Sequence, residues 1–189
     1  MRVQKTIKSQ IKWYLIQYIV FIYLAIPLHA QNYYAENGTA RFTSSVPFYE
    51  FTGTSNQLTG LISITDNSVD FYLDLETLDS GIKKRDKDMR LTLETKKFPF
   101  AEFYGNLLDQ VNLTETKPQK ITTSGNFSIH GISQRMEVSG EITIEQNILH
   151  LTANWEIRLD DFEIVPPSLL IVKVDQIQKI SIDIRLEKQ

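Results

Sequence analysis

Apolar and polar residues alternate along several stretches of this chain, and this alternation constrains the fold more than any other feature of the sequence. Between residues 149 and 159 every second residue is apolar and the residues between them are polar. The same period of two runs through residues 69–75, 135–145 and 180–187. Successive side chains of a β-strand point to opposite faces, so each stretch is predicted to be a strand with one buried face. A shift of one residue would bury the charges, which fixes the register strongly.

Four fainter strands are predicted at residues 39–46, 60–65, 101–108 and 121–130, separated by turn-forming residues. The total of eight is the number at which a closed antiparallel sheet holds packed side chains or one small ligand. The strand count therefore predicts an all-β fold, an eight-stranded antiparallel extended β-barrel, whereas the alternation by itself leaves a sandwich, a packed barrel and a hollow barrel open. Its strands are long, so its interior is expected to be elongated.

One segment departs from the alternation. Met89 and Leu93 are four residues apart within a charged stretch, which predicts a short helix around residues 84–94. The sequence Phe98-Pro99-Phe100 then forces the chain back to an extended conformation. We expect this helix to lie over one end of the barrel.

The first thirty residues differ in kind from the rest. They begin with basic residues, continue with an uncharged apolar run over residues 13–28, and reach a small residue at Ala30. This order is typical of a secretory signal peptide, with cleavage near Ala30. Residues 1–30 are thus predicted to be a signal peptide and residues 31–189 a single domain, periplasmic or secreted. Leu28 is large for its position before the cut, so an uncleaved N-terminal anchor stays open as an alternative.

Charge and cysteine content exclude several functions. Four of the 20 Lys and Arg lie in residues 1–30, which leaves 16 against 23 Asp and Glu, a formal charge of −7. An acidic surface repels phosphate backbones, so we expect no nucleic-acid partner. The chain has no cysteine, which rules out disulfides, thiol catalysis and the acylated cysteine of a lipoprotein. No stable membrane anchor is therefore expected after signal cleavage, whereas a homodimer is left open.

No catalytic or metal-binding pattern of any specificity occurs in the sequence. His130 and His150 are the two histidines after residue 30, and neither lies in a nucleophile-elbow pattern. Asp160, Asp161 and Glu163 form an acidic group that could hold a cation or act as an acid–base pair, but a solvated turn is the favoured interpretation because nothing nearby would desolvate them. We predict that the protein is not an enzyme and holds no metal and no cofactor.

Three stretches of the chain contain distinctive motifs. The first is Gly81–Arg90 followed by Lys97–Phe103, the second is Gly125–Val138, and the third is Arg158–Ile164 together with Val174–Ile177. In order, they resemble the Arg-Asp helix and aromatic-Pro strand entry, the His-Gly hairpin, and the Arg-x-Asp-Phe-Gly and closing strands of the YceI-like family. In this chain Glu163 stands where the family has Gly, and the family's Trp-x-x-Asp-x-x-His-Ser opening is missing.

The resemblance implies a lipocalin-like barrel that binds a polyisoprenoid or another long-chain lipid in its interior. The expected ligand-binding residues are the inward-facing side chains Phe71, Leu73, Phe103, Phe127, Met136, Val138, Trp155, Ile157, Ile182 and Ile184. Two alternatives stay open at this point. One is a non-binding structural or interaction module with a solid core, and the other is a lipid-acting hydrolase or isomerase that uses Asp160, Asp161 or His130.

Overall fold

The computed structural model describes residues 31–46, 49–166 and 174–189, and the predicted signal peptide at residues 1–30 lies outside them. The eight strands are β1 (Asn32–Val46), β2 (Tyr49–Ser63), β3 (Ser68–Asp74), β4 (Phe100–Leu107), β5 (Gln119–Ile129), β6 (Ile132–Glu145), β7 (Ile148–Arg158) and β8 (Ile177–Lys188). One α-helix, α1 (Lys83–Thr92), and two 3-10 turns, Leu75–Thr77 and Asp160–Phe162, lie in the connections. Each strand pairs antiparallel with its neighbours in sequence, and β8 pairs with β1, which closes the barrel. The predicted fold class and helix are confirmed.

Antiparallel order places alternate connections at opposite ends of the barrel. The β1–β2, β3–β4, β5–β6 and β7–β8 connections share one end, which we call the mouth end. It includes α1 and both 3-10 turns. The other end, which we call the closed end, contains the short β2–β3 and β6–β7 turns and the longer β4–β5 connection.

The first two strands are longer than the alternation indicated. β1 begins seven residues before the predicted stretch at 39–46. Its pairing shifts register twice between Ala35 and Ala40, which interrupts the period of two, so the alternation did not indicate the first part of the strand. β2 extends back to Tyr49 from the predicted stretch at 60–65. Its added half has Gly53 and Ser55 at inward positions between Phe51 and Leu58, and these two interrupt the apolar alternation.

The closed end of the barrel is packed solid. Leu149 and Leu186 have no exposed surface, and Ile142 and Ile184 are 1% exposed. Burying one such side chain contributes about 1.5–3 kcal/mol, so this layer stabilises the closed end of the barrel. The closed end therefore stabilises the barrel, so the packing at the mouth end need not be equally dense.

Candidate ligand-binding site

A cavity of about 440 Å³ runs inward from the mouth end of the barrel and is lined by residues from all eight strands, including Ile62, Val69 and Ile121 near the closed end. On β7 the lining side chains run from Leu151 to Ile157, six residues or about 20 Å along the strand at about 3.3 Å per residue. The volume of the cavity lies within the range of about 300–1,000 Å³ typical of small-molecule sites. The inward-facing side chains therefore enclose an elongated hollow that reaches the mouth end of the barrel.

Glycines on β2 make room for two aromatic rings of the wall. Gly53 pairs with Phe42, and a Cβ on Gly53 would come within 2.1 Å of that ring. Gly60 pairs with Phe71, and a Cβ there would lie 2.3 Å from the ring. Each ring therefore packs directly against a neighbouring glycine backbone in the wall of the cavity.

The helix α1 and the start of β2 form part of the cavity rim. The Arg85 guanidinium lies 4.6 Å over the Phe51 ring, and its Nε and Nη2 donate to Oγ and O of Ser80 at 2.8 and 2.6 Å. These contacts hold α1 against β2, with Met89 and Leu93 lining the cavity. The rim is built from both apolar and cationic side chains.

Few polar groups reach the cavity wall. The Thr123 hydroxyl donates to the Val138 carbonyl at 3.1 Å, and the Gln178 amide donates to the Asp175 carbonyl at 2.7 Å. Within the described residues, Ser44 Oγ and Trp155 Nε1 are without a hydrogen-bond partner, and both atoms are buried beneath the wall. The surface offered to a ligand is therefore almost wholly apolar.

Most of the predicted ligand-binding residues line this cavity. They are Phe71, Leu73, Phe103, Phe127, Val138, Trp155, Ile157 and Ile182. Phe103, Trp155 and Ile182 keep partial exposure although they point inward. All three line the cavity, so they contribute exposed apolar surface to its wall.

Two predicted residues lie elsewhere. Ile184 is 1% exposed and fills the closed end, where its atoms occupy the space beside Gly38 and Gly60. Met136 lies at a seam in the wall, because the β6–β7 pairing stops at Gly140–Ala153. Strand phase alone could not separate these two from the cavity wall, since phase fixes the side of the sheet but not the depth along the barrel.

A 3-10 turn fills the seam between β6 and β7. Phe162 is 1% exposed and meets the Phe127 ring edge-on at 5.6 Å. The Gln134 amide of β6 donates to the Asp161 carbonyl at 3.0 Å, which ties the turn to the unpaired strand. Where β6 and β7 are not hydrogen-bonded to each other, the packed Phe162 ring thus fills the gap between them.

Several lining residues were missed from sequence. Ile180 and Leu151 share the phase of predicted neighbours, so the alternation could have included them. Phe42 and Phe51 lie in the two strands whose alternation is interrupted, and Met89 lies on α1. For these three no sequence signal pointed to the cavity.

The residues weighed for catalysis do not line the cavity. His130 Nδ1 lies 3.0 Å from the carbonyl oxygen of Phe162, and the His130 ring meets Phe98 edge-on at 5.3 Å. Arg158 donates to both carboxylate oxygens of Asp160, at 3.1 and 2.7 Å, and this pairing lowers the pKa of Asp160 below its ordinary value. His130 therefore ties the β5–β6 turn to the β7–β8 connection, whereas Asp160 forms a local pair with the end of β7.

Two further properties concern only the described part of the chain. No group of three or more His, Asp or Glu side chains there could hold a metal ion. No helix in the described ranges is long and apolar enough to cross a membrane.

Comparison with known proteins identifies the family. The family model described as a YceI-like domain matches residues 33–187. The chain belongs to the YceI-like family. The expected resemblance is thereby confirmed over nearly the whole barrel. A search of curated proteins finds no match.

Solved structures share this YceI-like fold at low sequence identity. A polyisoprenoid binding domain from Saccharophagus degradans, implicated in plant cell wall breakdown, has a TM-score of 0.74 and 16% identity, covering 85% of this chain and 99% of that one. BcnA from Burkholderia cenocepacia has a TM-score of 0.66 and 13% identity, covering 78% and 95%. The Campylobacter jejuni YCEI protein has a TM-score of 0.53 and 14% identity, covering 85% and 86%. At these identities the similarity establishes the barrel.

Proposed function

We propose that this YceI-like protein is an exported carrier that holds one long-chain apolar lipid, of polyisoprenoid or fatty-acid type, in the mouth-end cavity. The observation that carries the proposal is an apolar hollow of about 440 Å³ in an otherwise closed barrel. The polyisoprenoid binding named for the Saccharophagus degradans domain supports the ligand class.

Physical chemistry favours an apolar chain over a polar ligand. Each methylene that leaves water for such a wall contributes about 0.8 kcal/mol, so a partly enclosed chain already binds tightly. The wall gives a polar ligand few hydrogen bonds in return for its lost hydration. The cavity also supports the carrier over the solid-core alternative, which requires an interior filled by its own side chains.

Export rests on residues 1–30, whose basic start and apolar run match a signal peptide. After cleavage near Ala30 the carrier would be periplasmic or secreted, without a stable membrane anchor, and its ligand would come from the cell envelope. Mass spectrometry of the N-terminus of the protein from its host tests cleavage directly.

The decisive experiment for lipid binding uses an inward-facing small residue. Ala153 of β7 pairs with Gly140 on β6 and Ile182 on β8, so Ala153→Phe places a ring in the deep part of the cavity. We expect native mass spectrometry of protein from its host to detect a bound lipid in the wild type. The A153F variant should carry less than about a tenth as much, because the ring occupies the ligand's volume.

The matched control is Asn154→Phe, one residue along the same strand and exposed on the outer face. It adds the same ring without entering the cavity and should carry wild-type amounts of lipid. Recovery of no lipid from the wild type, by native mass spectrometry and by solvent extraction, would contradict the carrier function. Equal lipid in both phenylalanine variants would place the ligand elsewhere.

A further inference from the structure

The cavity opening is bordered by exposed apolar side chains. Tyr49, Tyr72 and Ile82 all line it, and their exposed fractions are 59%, 43% and 53%. Tyr72 also meets Phe100 edge-on at 5.9 Å, and Phe100 is itself 43% exposed. Exposed apolar and tyrosine side chains grouped around one opening are typical of a surface that meets a partner or a membrane interface.

Cationic side chains stand beside these apolar groups. Lys83, Lys84 and Lys87 are exposed on α1, with Ile82 before them and the 67% exposed Leu91 after them. Lys84 pairs with Asp88 at 2.8 Å. Within the described residues, neither Lys83 nor Lys87 forms an ion pair. We call the set Ile82, Lys83, Lys84, Lys87 and Leu91 the basic helix face.

The charge of this region is opposite to that of the domain. Residues 75–99 contain seven Lys and Arg against five Asp and Glu. The remainder of residues 31–189 contains nine against 18. The mouth end also has acidic side chains: Asp160, Asp161 and Glu163 lie on the β7–β8 connection, and α1 itself contains the buried Asp86 as well as Asp88, the partner of Lys84. A positive face on an acidic domain gives a preferred orientation toward an anionic surface.

We propose that the basic helix face docks the cavity opening onto an anionic lipid bilayer surface. Exposed lysines beside exposed apolar side chains form a surface that an anionic bilayer attracts and that its interface can accommodate. Each lysine near an anionic bilayer contributes about 1 kcal/mol, an interaction that salt screens. Docking in this orientation would bring the apolar border of the opening against the bilayer. An acidic protein partner would use the lysines but not the apolar border, so the bilayer is favoured.

This inference deepens the proposed carrier function by naming the surface from which a lipid would be taken up. Its test is independent of whether lipid is bound. We would measure co-sedimentation of the protein, in the form its host produces, with vesicles of phosphatidylcholine alone and of an equimolar phosphatidylcholine–phosphatidylglycerol mixture. The wild type should bind the anionic vesicles at least about tenfold more tightly, and high salt should reduce this preference.

The test variant is Lys83→Glu with Lys87→Glu, because neither lysine forms an ion pair among the described residues. We expect it to lose about tenfold or more in affinity for anionic vesicles. The matched control is Lys117→Glu with Lys120→Glu, two exposed lysines in and after the β4–β5 connection at the closed end. It has the same net charge and should bind like the wild type. A circular-dichroism melt of each variant identifies one that fails to fold, and Lys83→Gln with Lys87→Gln then replaces it.

Three results would overturn the docking proposal: no preference for anionic vesicles, equal losses in the two double variants, or capture by an acidic protein without vesicle binding. Lipid content measured on the same samples separates this proposal from the carrier function. Protein that binds anionic vesicles but carries no lipid sustains the docking surface and contradicts the carrier. Protein that carries lipid but does not bind anionic vesicles supports the carrier function and contradicts the docking surface.

Discussion

At the residue scale, Glu163 occupies a backbone conformation that favours glycine. It follows the 3-10 turn Asp160–Phe162 with a φ of 53°, in the left-handed region. The YceI-like pattern has Gly at this position, and the structure retains the left-handed turn although the side chain is Glu. A non-glycine residue in this region costs about 1–2 kcal/mol. The turn persists because Phe162 is held in the seam between β6 and β7.

Substituting Glu163→Gly should therefore stabilise the protein. Relief of left-handed strain outweighs the extra backbone entropy of glycine in the unfolded chain, about 0.5–1 kcal/mol, and leaves a net gain of about 0.5–1 kcal/mol. Urea denaturation measures the free energy of unfolding. The control Glu156→Gly, at an exposed position within β7, should lower that free energy by about 1 kcal/mol. A less stable E163G protein would show that the Glu163 side chain contributes more than its strain costs.

At the element scale, the long β3–β4 connection is fixed by one buried carboxylate. Asp86 of α1 is 7% exposed and accepts hydrogen bonds from the Ser80 backbone N–H, at 2.9 Å, and from the Ser80 hydroxyl. Burial alone would raise the pKa of Asp86, but these hydrogen bonds and the positive charge of Arg90 together lower it below its ordinary value. Asp86 thus holds the start of α1 at the rim of the cavity.

The substitution Asp86→Asn should lower the free energy of unfolding by about 1–2 kcal/mol at pH 7, because it replaces charge-assisted hydrogen bonds with neutral ones. The folded pKa lies below the unfolded value of about 3.9, so the ionised carboxylate stabilises the fold above about pH 4. This contribution is lost as the pH falls through the folded pKa. Urea denaturation of wild type and D86N should therefore differ at pH 7 and converge as the pH is lowered below 3.9.

The control for this prediction is Asp88→Asn on the same helix, where the carboxylate forms an exposed pair with Lys84. An exposed pair of this spacing contributes about 0.3–0.5 kcal/mol, so D88N should lie close to the wild type at pH 7. If the difference in unfolding free energy between wild type and D86N persists unchanged at low pH, the Asp86 side chain holds α1 by its hydrogen-bonding geometry and not by its charge.

At the scale of the whole molecule, the barrel is divided into a solid end and a hollow end. The closed end holds fully buried Leu149 and Leu186, whereas the mouth end leaves inward side chains such as Trp155 partly exposed. A ligand that fills the hollow buries this apolar surface and binds only the folded barrel. Stability should therefore depend on occupancy.

Removal of the bound lipid should lower the melting temperature. A ligand present at about 100 times its Kd adds about 2.7 kcal/mol to the free energy of unfolding, so extraction should reduce Tm by several degrees. Differential scanning calorimetry before and after extraction, and after the lipid is added back, measures this change. The A153F variant serves as the control, because its filled cavity should make its Tm insensitive to extraction. An unchanged wild-type Tm would argue against a ligand inside the barrel.

The sequence alone determined the fold class, the strand count and the side of each strand that faces inward. It could do so because side-chain direction in a strand repeats every two residues, a local property of the backbone. β7 illustrates this: every apolar residue of its alternation is inward, from Leu149 to Ile157. Where a bulge interrupts the period, as between Ala35 and Ala40 in β1, that information was lost.

Only the tertiary structure decided how deep each inward residue lies and whether it meets a cavity or a packed core. Leu149 and Trp155 share one strand and one phase, yet the first is fully buried and the second borders the hollow. The difference comes from side chains of strands distant in sequence, such as Ile184 lying against Gly38. Packing is a property of several strands at one depth of the barrel, and no single stretch of sequence contains it.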